Sequence, residues 1–301
     1  MVDRISTAAF HQQTLRDSGN ITATLAELNR QISSGKKANS FVDLNGVVER
    51  VSGFNTKLSR VENYLTTNNA VVNRLSIMDQ SVTQMQQIAQ DFLSNITARI
   101  SINGPEMNLQ AIAAAALNNI EDQMNVSVEG RYLFSGSKTS TPPITDLTSI
   151  AITTPGVAED NYYNGNSVKI SARVSDAFEM QYGVTGDNIA FQNLISGIKT
   201  AISGDAANNT QTLQQAFQMV TDAVDGLATV RAEVNSNMAS LNSVNEQHQN
   251  LRLYWKEAIS IETDTDIAEA SILVAANQTL LQASFQTFAS LSRLRLTDYL
   301  N

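Results

Sequence analysis

Between residues 58 and 96 apolar side chains return every three or four positions. Leu58, Val61, Leu65, Asn68, Val72 and Leu75 keep a heptad step. After a slip it continues through Met78, Val82, Met85, Ala89, Phe92 and Ile96. Spacing of this kind keeps an apolar seam turned toward a partner helix, and no strand period fits it. Asn68 is the polar member of the seam, either a register-setting residue or a tolerated, partly wet position. SINGPE, residues 101–106, breaks the helix, and Pro105 suits the first turn of the next. Leu109, Ile112, Ala116, Ile120 and Met124 then form a third face, so two antiparallel helices joined by a short turn are predicted. Helix is expected to return near Ala206. Leu213, Phe217, Val220, Val224 and Leu227 share one face there, continued by Arg231, Val234, Met238 and Leu241.

Both ends of the chain carry the same kind of pattern. Ile5, Ala8, Gln12 and Leu15 step by three and four, and after Gly19-Asn20 the step resumes at Ile21, Leu25, Leu28 and Ile32. Near the other end Ile267, Val274, Leu281 and Phe288 recur every seven residues, widened by Leu273 and Leu280. Ordering thirty residues costs roughly 30–60 kcal/mol of backbone entropy. Each large apolar side chain returns about 1.5–3 kcal/mol only when fully buried. The terminal helices are therefore expected to be mobile in a monomer and ordered on assembly, the alternative being that they pair within one bundle. Gly35 sits where a helix C-cap fits. Lys36 and Lys37 follow, and charge alone assigns them no role.

Between about residues 141 and 205 the pattern changes. Pro142, Pro143, Pro155 and a concentration of glycines fall here. SVKISARVSD alternates like a strand, with Val168, Ile170, Ala172 and Val174 on one face, and FEMQYGV reads as a second strand. The predicted fold is mainly α, a nested antiparallel bundle of long helices and terminal coiled-coil helices with a small central β-containing domain. Its expected parts are a terminal coiled-coil layer, 1–33 and 262–301; a helical core, 34–140 and 206–261; and a small outer domain, 141–205.

Chemistry finds little support. The formal charge is −9 and no basic cluster exceeds Lys36-Lys37, which argues against nucleic acid. There is no cysteine, hence no disulfide and no thiolate site. The longest apolar run, Ala111 to Leu117, is far too short for a membrane span, and the first residues lack the apolar core of an ordinary signal peptide. His11 and His248 have no ligand constellation around them. Glu262, Asp264, Asp266 and Glu269 lack the calcium-loop spacing. Asp266 followed by Glu269 reads instead as an acidic capping box. Trp255, in LRLYWKEAI, reads as a core or interface anchor. No catalytic residue, metal site or cofactor is expected.

Four stretches together resemble bacterial flagellins, on the side of the hook-associated junction proteins. LNRQISSGKKANS, residues 28–40, is similar to the family's early motif, although FVDLNGVVERV follows where many members run through aspartates and alanines. TTNNAVVNRLSIMDQSVTQMQQI resembles the next helical block. GRYLFSGSKTSTPPI, residues 130–144, resembles the junction members more than filament flagellins. DTDIAEASILVAANQTLLQASFQTFASLSRLRLTDYL resembles the family's last helix, with a junction-like tail from Leu296 to Leu300. The resemblance covers about residues 1–143 and 206–301.

The resemblance implies a structural, non-enzymatic subunit joining the hook-associated zone to the flagellin filament, or alternatively a short filament flagellin. It implies a helical homo-oligomer contacting the first hook-associated junction protein and flagellin. It also implies a cytoplasmic chaperone, passage through the flagellar type III export apparatus, and an extracellular place in the flagellum. Ile5, Leu15, Leu25, Leu28, Ile32, Ile267, Val274, Leu281, Phe288, Tyr299 and Leu300 become candidate assembly residues. Tyr132, Leu133 and Phe134 would anchor the exit from the helical core, stiffened by Pro142 and Pro143.

Overall fold

The computed structural model describes the backbone of residues 2–38, 46–101 and 107–299, and the side-chain surroundings of residues 9, 12–38, 46–101 and 107–290. Among these residues the helices are α1 (Val2–Ser34), α2 (Val48–Ser101), α3 (Leu109–Met124), α4 (Ile189–Ala206), α5 (Thr210–Thr263) and α6 (Ile267–Tyr299). Two short antiparallel hairpins separate α3 from α4: β1 (Ser127–Val128) with β2 (Arg131–Tyr132), and β3 (Ile170–Arg173) with β4 (Glu179–Tyr182). The architecture is mainly α with a small β-containing region. At 1.5 Å per residue, the 54 residues of α2 and of α5 each span about 80 Å. The chain divides into two compact units, Met1–Arg60 with Leu251–Asn301, and Val61–Asn250.

The 61–250 unit holds the main core. Most of the seam read from the sequence is buried in α2, from Val61 and Leu65 through Leu75, Met78, Val82, Met85, Ala89 and Phe92 to Ile96, while Leu58 and Val72 are half-buried and Val71 is buried beside Val72. In α3, Leu109, Ala116, Ile120 and Met124 are buried likewise. The seam of α5 runs slightly differently from the sequence reading. Ala216, Val220, Ala223 and Leu227 are buried while Phe217 is exposed, because the wide apolar stripe allowed either register.

Helix does not wait until Ala206. Ile189–Ala206 forms α4, opened by Asn188, whose side chain accepts from the Ala190 N–H at 2.9 Å. Eleven of its eighteen residues are buried, and Gly197 and Gly204 inside it read as turn residues in the sequence. It packs on α3 and lies close to α5, where a Cβ at Gly197 would sit 2.8 Å from the Val220 side chain. Three of its side chains strap the preceding loop. Thr200 Oγ1 accepts from the Gly156 N–H, Ser196 Oγ from the Glu159 N–H, and the Lys199 ammonium donates to the Ile150 carbonyl. Burial lowers the Lys199 pKa, opposed by the charges of Asp146 and Glu159.

The predicted strand pair forms with Ile170 opposite Tyr182 and Arg173 opposite Glu179. Ala172 and Val174 face inward, whereas Val168 lies before β3 and is exposed. A polar layer fastens the end of this hairpin to the long helices. Asn68 donates to the Val174 carbonyl at 3.2 Å and to Asn245 Oδ1 at 3.0 Å, and His248 Nε2 lies 2.8 Å from the same carbonyl. Tyr64 stacks on the His248 ring at 5.3 Å and donates to Asp176 at 3.0 Å. Asn68 is thus buried and hydrogen-bonded rather than wet, and His248 is a seam histidine.

In the unit of 1–60 with 251–301, α1 pairs with α6. α1 ends as Gly35 turns left-handed at φ +67° and its N–H donates to the Gln31 carbonyl. The break between α5 and α6 is closed by the residues that follow. The Lys37 N–H donates to the Thr263 carbonyl at 2.8 Å, and the Thr265 N–H to the Gly35 carbonyl at 3.0 Å. The Lys36 ammonium pairs with Asp264, and the Lys37 ammonium donates to the Ile261 carbonyl at 2.7 Å. The two lysines therefore complete a turn some 225 residues further along the chain. Asp266 caps α6, accepting from the N–H groups of Ala268 and Glu269.

Candidate assembly interface and core exit

The terminal helices pair with each other and still leave large apolar residues exposed. Leu28 is buried and Leu25 and Ile32 are half-buried, but Leu15 is 63% exposed. On α6, Val274, Leu281 and Phe288 are half-buried, while Ile267 is 52% exposed. Ile272, Leu273, Leu280 and Phe285 on α6 are also exposed. α6 is thus apolar on more than one side, and pairing with α1 leaves much of that surface in water. The side chains of Ile5 and Tyr299, and all of Leu300, lie outside the described residues.

A second exposed apolar surface was missed by sequence reading. At the end of α5, Leu251, Leu253, Tyr254 and Ile261 are all exposed. Trp255 beside them stacks on Phe54 of α2 at 5.5 Å, meets Tyr254 edge-on at 4.7 Å and carries the Lys57 ammonium 4.6 Å from its ring centre. The apolar positions of LRLYW recur at helical spacing toward Ile261, but whether such a face is covered depends on which distant segment packs on it, and no local pattern states that.

The stretch from Gly130 onward is a packed plug built on a tight hairpin. Val128 pairs with Arg131, leaving Glu129 and Gly130 as a two-residue turn with φ of 54° and 74°, the type I′ geometry that suits strand twist. Tyr132 is half-buried, Leu133 and Phe134 are buried, and Phe134 meets Phe191 of α4 edge-on at 5.7 Å. The Phe134 carbonyl accepts from the Gly186 N–H at 2.8 Å and the Tyr163 hydroxyl at 2.9 Å. Burial, aided by the charge of Asp187, pushes the Tyr163 phenol up to about 12, so it remains a donor. Gly136 adopts φ +64°, and a Cβ there would lie 2.1 Å from the Asn166 carbonyl oxygen. Pro143 is buried and Pro142 exposed, and the Pro143 carbonyl accepts from the Asn164 N–H.

This arrangement offers exposed apolar surfaces and a well-packed segment after α3. Among the described residues no cluster of histidines and acids is placed to hold a metal, and no helix is long and apolar enough to cross a membrane.

The family described as the bacterial flagellin N-terminal helical region matches residues 5–139. Flagellar hook-associated protein 3 of Escherichia coli (strain K12) is 21% identical over 97% of this chain and 98% of its own length. The protein of the same name from Salmonella typhimurium shows the same identity and coverage. Among solved structures, a putative flagellar hook-associated protein from Vibrio parahaemolyticus superposes with a TM-score of 0.61 at 14% identity, covering 73% of this chain and 99% of that one. Bacillus cereus FlgL superposes with a TM-score of 0.51 at 14% identity, covering 65% and 98%. The chain is thus similar to the bacterial flagellin N-terminal helical region over residues 5–139 and, along nearly its whole length, to proteins named flagellar hook-associated protein 3.

Proposed function

We propose that this chain is the structural adaptor subunit that joins the hook-associated zone of the bacterial flagellum to its flagellin filament. The observation that carries this reading is end-to-end similarity to proteins named flagellar hook-associated protein 3, over 97% of this chain and 98% of theirs. The exposed apolar residues of α1, α6 and the end of α5 support it, since a monomer gains nothing by leaving them in water.

The subunit assembles with copies of itself in a helical array, with the first hook-associated protein on one side and flagellin on the other. Such contacts are heterologous, so they extend without closing into a dimer. Leu15, Leu25, Leu28 and Ile32 of α1 and Ile267, Val274, Leu281 and Phe288 of α6 serve these contacts, with Ile5, Tyr299 and Leu300 continuing the two series. Tyr132, Leu133, Phe134, Pro142 and Pro143 serve as the fixed exit toward residues 141–205, the outward part. The subunit reaches the flagellum by type III export, escorted by a chaperone.

Labelling the protein in assembled flagella tests the reading. A narrow band at the boundary of hook and filament is the expected result. Label running continuously along the filament would overturn it and identify a filament flagellin.

A further inference from the structure

The two units differ sharply in charge. Residues 61–250 carry 8 Lys/Arg and 18 Asp/Glu, a net −10, while the remainder carries 12 and 11, a net +1. Within that remainder, residues 48–60 of α2 and 251–263 of α5 hold five basic and three acidic side chains. Of these, Lys57 lies 4.6 Å from the centre of the Trp255 ring in the aromatic group of Phe54, Tyr254 and Trp255, and Arg50 pairs with Glu262.

Leu251, Tyr254 and Ile261 stand at i, i+3 and i+10 of α5, one face of the helix, with exposures of 43%, 58% and 67%. Large apolar groups with an aromatic cluster behind them and basic groups around them have the make-up of a binding hot spot with a charged rim. The acidic unit offers a matching composition, since it carries a net −10 and leaves Phe178 and Phe217 exposed.

We propose that the Leu251–Tyr254–Ile261 face of α5, with the basic side chains around it, docks on the acidic 61–250 unit of a second copy of this chain. Opposite charges steer the basic tract toward that unit, and like charges disfavour pairing of two basic tracts. The contact is therefore heterologous, and each copy keeps one basic tract and one acidic unit open for the next, which favours chain growth over a closed dimer. This deepens the reading of the chain as an assembling subunit and rests on it for the presence of neighbouring copies.

The test replaces Tyr254, and separately Ile261, by the photo-crosslinking residue p-benzoylphenylalanine in the full-length chain. The labelled protein is mixed with an isotopically heavy copy at rising concentration and irradiated. Crosslinked peptides from the heavy copy are expected to fall within residues 61–250. Their yield should drop at least about tenfold in roughly 1 M salt, where charges are screened beyond about 3 Å, and should drop similarly in Lys57→Glu/Arg60→Glu. Crosslinks confined to residues 1–60 or 251–301 of the heavy copy would overturn the proposal, as would the absence of any intermolecular product. A band of label at the hook–filament boundary together with either of those results would leave the adaptor role standing and remove this contact. Crosslinks into 61–250 from a protein whose label runs along the filament would do the reverse.

Discussion

Asn68 of α2 donates its side-chain amide to Asn245 of α5 at 3.0 Å, a buried bond between residues 177 positions apart. Asn245 passes the contact on, donating to Asn69 Oδ1 at 3.0 Å. Two long apolar seams slide past one another at modest cost, and a polar pair inside them is satisfied in one register only. Asn68→Ala strands a buried acceptor on Asn245, so a loss of about 1–3 kcal/mol is expected, read as a lower Tm. Asn68→Leu/Asn245→Leu should recover much of that stability while broadening the transition. A single mutant as stable as wild type would show that the bond does not set register.

Phe134 and Gly136 fix the packing of the segment that follows the β1–β2 hairpin. Phe134→Ala should cost about 3–5 kcal/mol, because the ring is fully buried against Phe191. Gly136→Ala should cost about 1–2 kcal/mol for the left-handed backbone alone, with the clash against the Asn166 carbonyl added. Chemical denaturation of both variants checks the pair. A Gly136→Ala protein with an unchanged midpoint would mean that the loop at Asn166 yields freely.

Asp264 closes the α5–α6 break, and the bond from Lys36, with those from Ser260 and Thr263, holds its carboxyl at about 2, below the ordinary 3.8. A carboxyl depressed on folding contributes stability that is fully present above its unfolded value and is lost as pH falls through the folded one. The clasp should therefore hold above about pH 4 and release between roughly pH 4 and 2. Amide exchange at Lys37 and Thr265 measures it, since their N–H groups bond across the break. In Asp264→Asn the same amides should exchange faster already at neutral pH, with little further change on acidification. Protection at those amides that is flat from pH 6 to pH 2 in the wild type would contradict this.

Leu281→Asp probes the terminal seam. Leu281 is only half-buried, so the main thermal transition of the monomer should move little. An unpaired carboxylate entering an apolar interface costs several kcal/mol, more than one leucine contributes. Assembly should fail, leaving hooks without filaments while exported subunit is still detected outside the cell. A large fall in monomer Tm would place Leu281 in the monomer's own core, and normal filaments would place it on a solvent face.

The long helices were legible because burial on one side writes itself into the sequence as a period, and nearly every seam residue from Val61 to Ile96 is buried. Gly35 and Asp266 were legible because a helix end demands a particular backbone or an acceptor at a fixed offset. α4 went unread because its glycines, Gly197 and Gly204, count as turn residues when only the local sequence is weighed. The polar layer was half visible. Asn68 stood out in an apolar seam, but nothing local links it to Val174 or His248. The lysine clasp at Asp264 and the exposed face at Tyr254 were out of reach for the same reason, because each depends on which distant segment arrives beside it.

The clasp of Gly35, Lys36 and Lys37 on Thr263, Asp264 and Thr265 also sets an order of events. A ribosome delivers residues 61–250 as one unbroken run, so that unit has all its parts before synthesis ends. The first sixty residues must wait, because the carbonyls, amides and carboxylate that receive Gly35, Lys36 and Lys37 belong to the last fifty. A chain emerging N-terminus first therefore carries an incomplete leading segment throughout, and its two ends find each other only when the final stretch is free.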